Sequence, residues 1–250
     1  MSADAFLELD GVDAYYGQSH ILWDVSMEVR EGEICALLGR NGAGKTTTLR
    51  SIAGARPPDV RSGTVRFKGD DITDESTENI SARGVSLVPE ERRIFPNLTV
   101  EENIHLSGVS RNWSNRVGRA LSFAEGGLSN EEVYAQFPRL DDRRTQQAGT
   151  LSGGEQQMLA IARALKQGGD IMMLDEPYEG LAPQIIQSVE DAIRRISENG
   201  MTILLVEQNA VAAMKIADRA YVLDQGEVVF DGTAEALRED EATREKYLGV

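Results

Sequence analysis

Apolar and polar positions alternate along the first forty residues. Phe6-Leu7-Glu8-Leu9 and Val25-Ser26-Met27-Glu28-Val29 repeat with a period of two, as strands with one buried face do. Turn signals stand at Asp10-Gly11 and Glu31-Gly32. Residues 33–38 end in the unbroken apolar run Ile34-Cys35-Ala36-Leu37-Leu38, which reads as a buried strand. A glycine-rich turn follows at 39–44, then a helix from Lys45 to about Ala53. Pro57-Pro58 interrupts the pattern, residues 64–67 read as a strand, and residues 85–88 read as a buried one.

Between about 92 and 163 the strand signal fades. Helical spacing replaces it at 100–106, 116–123 and 131–137, so this stretch reads as a helical insertion. Its middle, 108–130, is polar and contains glycine. Strands are predicted again at 171–174, 203–206 and 220–223, and helices at 185–197 and 210–217. Strands alternating with helices imply an α/β class with a mainly parallel sheet.

Composition narrows the function classes. A length of 250 residues suits one α/β domain with an insertion, or two small domains. The net charge of −15 argues against nucleic acid as a main partner, because phosphate backbones attract basic surfaces. Cys35 is the one cysteine, which excludes an internal disulfide and fits a reducing cytoplasm. No run approaches the roughly eighteen apolar residues of a membrane span, and the N-terminus lacks a signal-peptide pattern. The chain is expected not to cross a membrane by itself, though it can dock on a membrane protein.

The turn at 39–46 carries the candidate chemistry. Gly39-Arg40-Asn41-Gly42-Ala43-Gly44-Lys45-Thr46 fits G-x-x-x-x-G-K-[ST] and lies between a predicted strand and a predicted helix. Glycines let the backbone curl so that successive N–H groups point at a phosphate, and the helix N-terminus adds more of them. Lys45 is placed to reach the β- and γ-phosphates of ATP, and Thr46 to ligate Mg²⁺. The apolar strand Ile171-Met172-Met173-Leu174 ends in Asp175 and Glu176. Asp175 is the expected Mg²⁺ partner, and Glu176 the group that polarises the attacking water.

A third motif, Leu151-Ser152-Gly153-Gly154-Glu155-Gln156-Gln157, admits two readings from its residues. Ser152 and Glu155 form a plausible helix cap, and Ser152 with the two glycines could also receive an anion. The heptad resembles the signature motif of ABC ATPases, and it lies between the loop and the acidic strand in that family's order. The resemblance covers nearly the whole chain. It implies a P-loop cassette with a mainly parallel core sheet, an antiparallel β subdomain and a helical subdomain insertion. The implied division is one domain, with 1–91 and 164–250 as nucleotide-binding core and 92–163 as helical subdomain. In that family two cassettes face head to tail, so Ser152, Gly153 and Gly154 are implied to meet ATP bound by a partner chain. Thr47 joins the implied phosphate contacts, and Tyr16 resembles the aromatic that stacks on adenine, with its neighbour Tyr15 as the alternative.

Three positions depart from the general family pattern. Glu90 stands where glutamine is usual, Gln208 where a γ-phosphate-sensing histidine is usual, and Ala182 where an aspartate is common. Glu90 can still take the metal or orient water, and the Gln208 amide can donate a hydrogen bond without a charge. His20 and His105 lie elsewhere and carry no expected role. Val88-Pro89-Glu90, Gly180-Leu181-Ala182-Pro183 and Val206-Glu207-Gln208-Asn209 together resemble one branch, the ATP-binding subunits of branched-chain amino acid importers. That branch implies a second ATPase subunit, either a different chain or an identical one. It also implies permease subunits, an external solute-binding protein and a place on the inner face of the cell membrane. Alternatives are an importer of urea or another small solute, and a soluble or regulatory ATPase of the same fold.

Overall fold

A computed structural model describes residues 5–109 and 128–250. The helix expected at 116–123 lies outside the described residues. Along the chain run β1 (Ala5–Tyr16), β2 (Ser19–Arg30), β3 (Ile34–Leu38), α1 (Lys45–Ile52), β4 (Asp59–Phe67), β5 (Asp70–Asp71), α2 (Thr77–Arg83), β6 (Val85–Val88) and α3 (Val100–Val109). Then come α4 (Asn130–Gln136), α5 (Pro138–Asp141), α6 (Gly153–Gln167), β7 (Ile171–Asp175), α7 (Pro183–Glu198) and β8 (Thr202–Glu207). The chain closes with α8 (Ala210–Ile216), β9 (Arg219–Asp224), β10 (Glu227–Thr233), α9 (Ala234–Glu239) and α10 (Glu241–Thr243).

Two sheets form. One is antiparallel, in the order β2-β1-β4-β5; the other has the order β10-β9-β3-β8-β7-β6, parallel except where β10 joins β9. The turn expected at Asp10-Gly11 is instead a bulge inside β1. The pairing with β2 slips between Leu9 and Val12, and Gly11 takes φ 62°. A bulge absorbs the extra residue without ending the strand, and glycine adopts that φ without strain.

Alternation along the six-stranded sheet divides the core into two layers. Ala36, Leu174, Leu205 and Val222 face one cluster, while Leu37, Met173, Leu204 and Leu223 face the other. The first layer is covered by α6, α7 and α8; the second by α1 and the antiparallel sheet. Because β3, β7 and β8 are buried on both faces, their sequences are apolar apart from Thr202 at the start of β8 and the acids Asp175 and Glu207 that end β7 and β8. These acids stand at the carboxyl ends, where the strands leave the core.

A buried amide helps fasten the segment after β6. Asn103 on α3 is fully buried. Its Oδ1 accepts from the Phe95 N–H at 2.9 Å, and its Nδ2 donates to the carbonyls of Phe95 (2.9 Å) and Thr99 (3.0 Å). Replacing it by leucine keeps the volume but leaves the Phe95 N–H without its acceptor and takes one of two donors from the Phe95 and Thr99 carbonyls, which keep the Leu98 and Asn103 N–H groups. Asn103→Leu should therefore cost about 2 kcal/mol in urea unfolding of the nucleotide-free chain. A loss near zero would show that water satisfies these groups.

Candidate functional site

The loop at 39–44 is shaped by close approach of the backbone. A Cβ on Gly39 would stand 2.4 Å from the Leu223 carbonyl oxygen, and Gly44 takes φ 111° against Leu22 and Leu223. Gly226, in the β9–β10 turn, donates its N–H to the Ala43 carbonyl at 2.9 Å. Gly44 opens α1 without a side-chain cap, and no acid lies in the first turn. The N–H groups of that turn thus face outward uncapped, at the positive end of the helix. Arg40, Asn41, Gly42 and Thr46 are exposed beside them, while Ala43, Lys45 and Thr47 are buried.

Lys45 is 4% exposed. Its ammonium donates to the carbonyls of Gly39 (2.9 Å) and Arg40 (3.2 Å) and lies 3.2 Å from Glu176 Oε1. β7 delivers Asp175 and Glu176 beside the loop because β8 alone separates it from β3. Asp175 is in register with Val206, and the Glu176 N–H donates to the Val206 carbonyl at 2.9 Å. Glu176 takes φ 45°, a left-handed backbone that is uncommon for a side chain of this size.

Thr46, Glu90 and Asp175 line one groove of about 620 Å³. Asp175 Oδ1 is buried there with no hydrogen-bond partner. Burial pushes its carboxyl up to about 6, and the Glu176 and Glu90 charges add to the rise against Lys45 and Arg50. An unsatisfied buried carboxylate next to an exposed threonine hydroxyl suits a divalent cation. Among the described residues no group of three or more His, Cys, Asp or Glu could hold a metal alone. A cation at this place would need further oxygens, such as those of a phosphate.

The other expected positions lie around this centre. Tyr15 is stacked on His20 at 4.1 Å, and the Arg61 guanidinium lies 4.2 Å over its ring. Tyr16 has no ring contact among the described residues and is half-buried, so of the two it is the ring without a stacking partner. His20 is held between Tyr15 and Trp23 and bonds Asp13 at 2.9 Å; His105 is exposed on α3. Gln208 is exposed at the end of β8, and its side-chain amide has no partner among the described residues.

Ser152 caps α6 in a complete capping box. Its hydroxyl donates to Glu155 Oε2 at 2.8 Å, and Arg143 fixes Glu155 Oε1 at 2.8 Å. The cap and the anion reading therefore share one hydroxyl. Gly154 has a packing reason as well, since a Cβ there would meet Ile185 at 1.9 Å. Neither Ser152 nor the two glycines line the groove of Thr46, Glu90 and Asp175. Ala182 begins α7 without a side-chain cap.

Two further residues join the site. Arg92, at φ 59°, reaches from the segment after Glu90 to Gln157 (3.1 Å) and Gln156 (3.4 Å) on the signature helix. Glu207 is buried between the Tyr178 and Asn209 N–H groups. Its sequence signal is an acid closing an apolar strand, the same signal that marks Asp175.

A glycine loop on an uncapped helix, with paired acids at the end of a parallel strand one place removed, defines a nucleoside-triphosphate-binding cassette of the phosphate-loop class. The profile of the ABC transporter family matches residues 22–179. The chain is 43% identical over 243 residues to the high-affinity branched-chain amino acid transport ATP-binding protein BraG of Pseudomonas aeruginosa, spanning 97% of this chain and 99% of that one. It is 37% identical to a probable branched-chain amino acid transport ATP-binding protein LivF of Archaeoglobus fulgidus, over 96% of this chain and 97% of that one. In fold it matches the ADP conformation of an ATP-binding cassette of an ABC transporter, with TM-score 0.81 and 22% identity across 99% of this chain and 98% of the other. The chain belongs to the ABC transporter family, as one of its ATP-binding cassettes.

The raised Asp175 value gives a signed expectation. Its folded value lies above the ordinary 3.8, so the stability it contributes is complete below about pH 4 and is lost as pH rises through about 6. Asp175→Asn should therefore unfold at a higher temperature than the native chain at pH 8, by the equivalent of about 3 kcal/mol. The two melting curves should converge near pH 4, and a difference independent of pH would exclude this origin.

Proposed function

We propose that this chain is the ATP-hydrolysing motor subunit of an importer for branched-chain or related amino acids. The observation that carries this reading is the end-to-end likeness to two branched-chain transport ATP-binding proteins, joined to a complete phosphate site. Lys45 exchanges its loop carbonyls for the β- and γ-phosphates, while the loop N–H groups from Gly39 through Thr47 surround them. Thr46 and Asp175, with Glu90 beside them, hold Mg²⁺, which supplies positive charge to the phosphates. Glu176 orients water for in-line attack, and Gln208 donates its amide to the γ-phosphate. Tyr16 stacks on the adenine. Catalysis here is chiefly positioning and electrostatics.

The second half of the site comes from a partner. Ser152, Gly153 and Gly154 lie off the chain's own groove, which supports their use on ATP held by a second cassette, identical or different. That cassette pair works with permease subunits, and through them with an external solute-binding protein. Among the described residues no helix is long and apolar enough to span a membrane, so attachment to the inner face of the cell membrane runs through the permeases. The helical insertion beside Glu90 offers the docking place for a permease element. Arg92 ties the segment after Glu90 to the signature helix, so docking and closure share one connection.

Two variants test the site. Glu176→Gln should keep ATP affinity and lower turnover by about a hundredfold or more; equal turnover would remove Glu176 from the mechanism. Lys45→Ala should weaken ATP binding by about tenfold or more in calorimetry, and unchanged affinity would refute the loop assignment. Co-purification of permeases and a solute-binding protein from the native membrane checks the importer reading.

A further inference from the structure

Glu207 is a buried carboxylate that the mechanism above does not use. It is 2% exposed and closes β8, in register with Leu38, the residue before the phosphate loop. Its Oε1 accepts the Tyr178 N–H at 2.9 Å, and its Oε2 accepts the Asn209 N–H at 3.1 Å. Tyr178 lies two residues after Glu176, and Asn209 one residue after Gln208. One side chain thus fastens the segments that carry both groups expected at the γ-phosphate. The turn it holds at Tyr178 follows directly on the left-handed Glu176, a conformation that persists only where surroundings fix it.

We propose that Glu207 is a positioning residue for hydrolysis, its two carboxylate oxygens locking the Glu176 turn and the Gln208 turn into one arrangement. The inference rests on the hydrolytic roles given above to Glu176 and Gln208. The requirement is for two acceptors. A carboxylate offers one to each N–H, whereas glutamine offers an oxygen to one and turns its own NH₂ against the other. Leucine or methionine would supply neither. The arrangement is kept against an opposing cost, since burial pushes the Glu207 carboxyl up to about 7 despite the hydrogen bonds from Tyr178 and Asn209. A residue retained only for stability would do better uncharged at this place.

That opposition separates positioning from mere support. In Glu207→Gln, thermal stability at pH 8 should be kept or raised, because the costly buried charge is gone. At the same time kcat should fall about tenfold or more, with KM for ATP changed less than about threefold. Glu207→Asp, which keeps both acceptors on a shorter stem, should recover part of the loss. Hydrogen exchange of the folded full chain adds a readout that needs no turnover. Amides in 176–182 should exchange faster in Glu207→Gln, while those of β7 stay protected. A Glu207→Gln chain with native kcat, with unchanged exchange at 176–182, or with stability and activity lost together overturns the inference. Glu176→Gln measured alongside keeps the two claims apart. If it retains turnover, the hydrolytic reading fails; if it is inactive while Glu207→Gln is fully active, only the positioning role fails.

Discussion

Negative charge gathered around Lys45 is the constraint on which the site depends. Glu90, Asp175 and Glu176 come together at the carboxyl ends of the parallel strands, in a chain whose net charge is already −15. Lys45 answers part of that charge through its contact with Glu176, and the uncapped start of α1 supplies a further positive field. What is left unanswered shows in Asp175, with an orphaned oxygen and a carboxyl pushed up to about 6. The arrangement is costly when empty, and under the proposed function a cation and its phosphates would relieve that cost. Binding energy is stored as unsatisfied electrostatics, which is how a preorganised site avoids rearranging at the moment of reaction.

The two-layer core makes this crowding possible. Because alternate residues of β3, β7, β8 and β9 feed opposite clusters, these strands are fixed from both faces and cannot slide. Their ends are then rigid platforms. Leu38, Asp175 and Glu207 finish neighbouring strands, and the turns that follow carry the loop, Glu176 and Gln208. Short connections from Glu176 to Val206 and from Glu207 to Tyr178 join the ends of β7 and β8, and Lys45, between the Gly39 carbonyl and Glu176, adds the loop after β3 to the same surface.

A second chain of contacts leads away from that surface. Glu90 follows β6 at the sheet edge; Arg92 then grips the signature helix, and Asn103 pins the segment beyond it to α3. The groove wall, the signature helix and the helical insertion are therefore joined by few and specific polar bonds over buried packing. Displacement of one has a direct route to the others. Ala182, lacking a cap side chain, leaves the start of α7 less firmly fixed than that of α6, with its full capping box.

The sequence by itself determined the phosphate loop, the paired acids, the capping box at Ser152 and the apolar strands, because each is encoded by consecutive residues. Glycine spacing, strand alternation and a cap whose partners stand three positions apart are set by local backbone geometry, which a linear pattern carries in full. It placed a turn at Asp10-Gly11 where a bulge stands, since glycine signals both and the partner strand decides between them. It could not tell Tyr15 from Tyr16 as the open ring until His20 and Arg61 were seen to occupy Tyr15. Only the tertiary structure decided the strand order β10-β9-β3-β8-β7-β6, the Gly226 contact behind Ala43, and the packing need for Gly154. It alone showed Glu207 reaching a backbone N–H 29 residues away. Such contacts join segments that the chain order keeps apart, and burial, which gives them their strength, exists only once the sheet has closed around them.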